Sequence, residues 1–107
     1  MKPILMLISS SPDTPEARQA LELAKSLWEG GNELGIFFIQ DGVYHTVNPS
    51  GSQEILSEGK VPRYCLTEDL EMRGFGAEDV VLPVKLSDYD ELVDLMMEES
   101  GSAIGAF

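Results

Sequence analysis

The 107-residue chain predicts an α/β fold, a three-layer α/β/α sandwich around a mainly parallel sheet of about five strands. Three observations carry this. Short apolar runs recur along the chain, and stretches with helical apolar spacing lie between them. The first run, helix and second run fit within about forty residues, the size of a right-handed βαβ unit.

Ile4 to Ile8 is continuously apolar, as in a strand buried on both faces. After a serine loop, Ala17, Ala20, Leu21, Ala24, Leu27 and Trp28 recur at helical spacing. Asp13 or Thr14 can cap that helix, Pro15 suits its first turn, and Gly30-Gly31 stops it. Leu34 to Ile39 reads as the second strand, followed by the turn signal Asp41-Gly42. Residues 43–51 are turn-rich, and Gln53 to Glu58 suit a short helix. Val61 to Cys65 is the third strand, and Thr67 to Arg73 a helix stopped by Gly74. Val80 to Val84 is expected to be the fourth strand, with Pro83 placing it at an edge or bulge. Tyr89, Leu92, Val93 and Met96 mark a last amphipathic helix ending at Gly101, and Ala103 to Phe107 a closing strand. Neither a linker nor a repeat divides the sequence, so one domain over 1–107 is expected.

Seven Lys and Arg against 19 Asp and Glu give a net charge of −12. From Glu54 onward there are 13 acids and four basic residues, so that half carries −9. Such a surface repels phosphate backbones and anionic membranes, and it favours a basic protein partner. A single Cys excludes an internal disulfide and zinc sites built from paired cysteines, and one His supplies no metal-ligand cluster. The apolar start passes into Ser9-Ser10-Ser11 without a small-residue cleavage site, and no run is long enough to span a membrane. A cytoplasmic, reducing setting is expected.

In parallel sheets, ligands and reactive groups gather beyond the carboxyl ends of the strands. Only one of those loops holds a strong nucleophile, Cys65. Free amides at the following helix start, and Arg63, would favour its thiolate, whereas Glu68, Asp69 and Glu71 would oppose it. A lone cysteine is also a good small core residue. A phosphatase-type loop would want Arg at position 71, which is Glu71. Ser9, Ser11 and Thr14 stand where a flavodoxin-like loop would hold a flavin or other phosphate, but Pro12 and Asp13 suit turn and cap roles better. His45 reads as a solvated or merely hydrogen-bonded side chain, and Trp28, Phe37 and Phe38 as core.

Several segments then resemble a known family: the helix Ala17-Arg18-Gln19-Ala20-Leu21, the turn Gln40-Asp41-Gly42-Val43-Tyr44, Cys65, and Arg73-Gly74-Phe75. Their order over nearly the whole chain is similar to the DsrE/DsrF-like family, with its TusD- and TusC-like sulfur-relay proteins. That resemblance implies a three-layer α/β fold, homo- or hetero-oligomers built from dimers, and sulfur donor and acceptor proteins as partners. It implies sulfane sulfur carried as a persulfide on Cys65, a sulfurtransferase role requiring no metal or organic cofactor. Other members of that family lack the cysteine and are structural subunits. Persulfide carrier, non-catalytic subunit and small-ligand binder therefore stand as the three readings.

Overall fold

The computed structural model describes residues 4–47, 61–99 and 102–104. Its five strands run in the order β4-β3-β2-β1-β5, where β1 is Ile4–Ile8, β2 Leu34–Phe38, β3 Arg63–Leu66, β4 Lys85–Ser87 and β5 Ser102–Ile104. All four pairings are parallel, with Ile8 opposite Phe38 and Phe38 opposite Cys65. The expected short helix at Gln53 to Glu58 lies outside the described residues.

The chain steps from β1 to β4 in one direction, then returns across the sheet to place β5 beside β1. Right-handed crossovers put the intervening helices on one face for the first three steps and on the other for the return. The packing agrees. Ala20, Leu21 and Ala24 of α1 (Pro15–Glu29) cover Met6, Ile8, Ile36 and Phe38. Leu92 of α4 (Tyr89–Asp94) covers Leu5, Phe37 and Leu66 on the opposite face. Alternation along β2 thus splits the Phe37-Phe38 pair between the two faces, and both rings are fully buried.

Thr14 caps α1, as its Oγ1 accepts from Ala17 N at 3.1 Å and donates to the Ser11 carbonyl at 2.8 Å. Asp13, the other capping candidate, instead takes a left-handed backbone at φ 70°. After β2, a 3-10 turn at Gln40–Val43 runs directly into α2 (Tyr44–Val47), so the expected turn-rich segment begins as one winding.

The fourth strand is not Val80–Val84 but Lys85–Ser87. Val81 and Leu82 donate their amides to the Thr46 carbonyl at 2.8 and 3.2 Å, and Pro83 has no amide to give. Pairing with β3 can begin only beyond the proline. The last helix also departs from a single α-helix, becoming a π-helical turn at Leu95–Glu99. Closing strand β5 starts one residue earlier than expected, at Ser102, and residues 105–107 lie outside the described set. Among the described residues no helix is long and apolar enough to cross a membrane.

Candidate functional site

Cys65 sits at the carboxyl end of β3, just before α3 (Thr67–Met72), where the sequence places it. The side chain is fully buried. It packs with Val43 of the 3-10 turn and Leu70 of α3, and Val47, Phe75, Val80, Val84 and Leu86 close the surround. The spacing explains the cover: Leu70 lies on the inward side of a helix whose other residues through Met72 are polar or exposed.

The roof is tied down by the two motifs that carry the family resemblance. Arg73 donates from Nε and Nη2 to Asp41 Oδ1, at 3.1 and 2.9 Å, and from Nη1 to the Asp69 carbonyl at 3.0 Å. Asp69 Oδ2 accepts from Gln40 N at 2.6 Å, holding Gln40 at φ 49°, a left-handed conformation that costs a non-glycine residue free energy. Phe75 meets the Tyr44 ring edge-on at 5.8 Å. Asp69, read from sequence as a charge opposed to a thiolate, is therefore also a clamp between α3 and the turn after β2. A single sequence carries no signal for these pairings, which join residues about thirty positions apart.

Thr46 is the site residue that sequence reasoning misses. Its hydroxyl donates to the Val43 carbonyl at 2.7 Å and lies 3.8 Å from Cys65 Sγ. A threonine hydroxyl has one hydrogen to give. Toward the thiol Thr46 can accept while its hydrogen stays on Val43; toward the thiolate it donates by giving up Val43, and it is this second arrangement that lowers the thiol pKa. Burial pushes the Cys65 pKa up, the Thr46 contact lowers it, and the Asp69 charge raises it; the net direction is upward. Burial, together with Asp69, outweighs the Thr46 contact.

This direction has a measurable consequence. The unfolded thiol ionises near pH 8.5, below its folded value, so stability is fully present below about pH 8.5 and lost as pH rises toward the folded pKa. The loss is expected to approach about 1.4 kcal/mol per pH unit within that window. Urea midpoints of wild type and Cys65→Ala, measured from pH 7 upward, should diverge in slope only on the alkaline side; parallel curves would refute the shift.

His45 is not solvated. It is fully buried, stacks on Phe38 at 5.2 Å, and donates from Nε2 to the Ser10 carbonyl at 3.0 Å, since a carbonyl can only accept. The hydrogen-bond contact of Cys65 is with Thr46. The serine loop likewise serves the fold, through the Thr14 cap and the Ser10 carbonyl. No group of three or more potential metal ligands occurs among the described residues.

A parallel sheet crossed by helices on both faces, with a cysteine closed beneath its third crossover, defines an α/β protein of a recurrent type. The chain overlays the ychN protein from E. coli with a TM-score of 0.83 at 20% identity, each chain covered to 100%. Tm0979 from Thermotoga maritima matches at TM-score 0.61 and 27% identity, covering 90% of this chain and 93% of that one. MTH1491 from Methanobacterium thermoautotrophicum, described as a protein of unknown function, gives 0.75 at 15% identity, covering 97% and 98%. No curated protein matches the sequence. The family described as DsrH like protein matches residues 14–102, and the chain belongs to that family, which is associated with sulfur relay. The DsrE/DsrF-like resemblance points to a neighbouring branch. Its turn and Arg-Gly-Phe motifs meet over the β2 and β3 ends, and so report architecture more than branch.

Proposed function

We propose that the chain is a non-carrying subunit of a sulfur relay, with Cys65 as a core residue, acting through its contacts with donor, acceptor or sister proteins. The observation that carries this reading is the complete burial of Cys65 under a clamped α3. Persulfide transfer needs a thiolate to attack the outer sulfur of a donor persulfide. A new S–S bond forms to that sulfur, the donor's S–S bond breaks, and the donor leaves as a thiolate. Both requirements are opposed here, because Sγ is out of reach and its pKa is raised. The absence of a second cysteine in the sequence fits a chain that does not resolve disulfides, and its free thiol fits a cytoplasmic setting.

The carrier reading is favoured by one observation, the position of Cys65 at the junction of β3 and α3 beyond the strand ends. It requires α3 to lift. The two separate by intact mass after native protein meets a low-molecular-weight persulfide. The expected result is no gain of sulfur, with Cys65 alkylating slowly in buffer and promptly in urea. A gain of one sulfur atom in native wild type, absent in Cys65→Ala, would overturn the non-carrying reading and establish the carrier.

A further inference from the structure

We infer that the outer side of α4 and its π-helical extension is a docking surface for a protein segment with an apolar face bordered by Lys or Arg. Round the helix, Leu95, Leu92, Met96, Tyr89, Val93 and Met97 follow one another along a single apolar arc. The sheet uses only one edge of this arc, where Leu92 is buried and Leu95 half-buried. Tyr89 is 59% exposed, Val93 and Met96 41%, and Met97 77%. Both methionines lie in the π-helical turn, and both are exposed. A contiguous exposed apolar stripe of this kind marks an interaction site, and methionine side chains adapt to irregular partners.

Charge selects the occupant. Exposed Asp90 and Asp94 border the stripe away from the sheet, and residues 88–99 contain no Lys or Arg. Glu91 is paired with Lys85 at 3.2 Å, leaving the border acids unneutralised by that lysine. A second copy would bring the same carboxylates and another −12 charge against the stripe, and an anionic bilayer would be repelled in the same way. A basic-rimmed apolar segment satisfies both the stripe and its border. This surface lies on the sheet face opposite Cys65, so the inference stands or falls separately from the mass experiment.

The test uses two synthetic amphipathic helical peptides with one leucine face, bordered by lysines in one and glutamates in the other, titrated into the isotope-labelled full chain. The lysine peptide should shift amide resonances at 89–97 and bind less tightly as salt rises, while the glutamate peptide should not bind. Met96→Gln combined with Met97→Gln should bind the lysine peptide about tenfold more weakly. Both sites are exposed, so its melting temperature should match wild type. Failure of the lysine peptide to bind, equal binding of both peptides, or equal affinity for the double variant would overturn the inference. So would a dimer in sedimentation that the double variant dissociates, because a second copy would then cover the stripe.

Discussion

Gly42→Ala is expected to cost more than about 3 kcal/mol, a large share of the stability of a domain this size. The reason is a close approach of backbone to backbone. A Cβ on Gly42 would fall far inside the contact distance of the Ile8 carbonyl oxygen and reach 2.8 Å from its carbon, neither of which is the end of a flexible side chain. Relief requires the 3-10 turn to back away from β1. That movement strains the 3.0 Å bond from Ile39 N to the same Ile8 oxygen, and with it the placement of Val43 and Thr46 around Cys65. Gly74→Ala provides the comparison. Gly74 has φ +83° with open space where a Cβ would project, so its cost should be the conformational one, of about 1 kcal/mol. Urea midpoints of the two variants measured together decide the point; equal losses would mean that the Gly42 contact relaxes easily.

Leu70→Ala should destabilise the chain by about 2–5 kcal/mol and open the roof over Cys65. Leu70 is buried against the thiol's own cluster, on a helix fastened at Asp69 and Arg73, so the neighbours cannot readily collapse into the space left. Relief of the burial that dominates the raised pKa should lower it toward the free-thiol value. Native alkylation at pH 8 should accelerate accordingly, whereas Met72→Ala, at an exposed position on the same helix, should change neither stability nor reactivity appreciably. Alkylation that speeds up only in proportion to the lost global stability would show that unfolding, not the local roof, controls access.

These effects bear on what a DsrH-like chain contributes to a relay. On the reading proposed above, the thiol under its clamped helix is guarded from persulfides and oxidants alike, and the acidic exterior and the inferred α4 stripe are what the chain offers to other proteins. Both the mass experiment and the peptide titration read these properties without knowledge of the natural donor.

Much of the fold was legible because periodicity reports burial. Ile4 to Ile8, the stripe from Ala17 to Ala24 and the run from Leu34 to Phe38 each fold as their patterns require, since apolar spacing is a local property of the chain. Val80–Val84 misled for the same reason. Its residues are apolar because Val80 and Val84 pack around Cys65, while Pro83 and the Thr46 carbonyl withhold them from the sheet. Apolar composition shows that part of a segment packs inward, not which hydrogen-bond partners its backbone finds.

Cys65 divides along this line. Its position at the end of a strand beyond which chemistry can gather followed from the sequence alone, as did the absence of any second cysteine. Whether the thiol faces solvent depended on Leu70, Thr46, and the Asp41–Arg73 and Gln40–Asp69 contacts. Those contacts join segments that are neighbours only once β2 and β3 pair. Burial and proton affinity are properties of an environment, and only the tertiary structure assembled that environment.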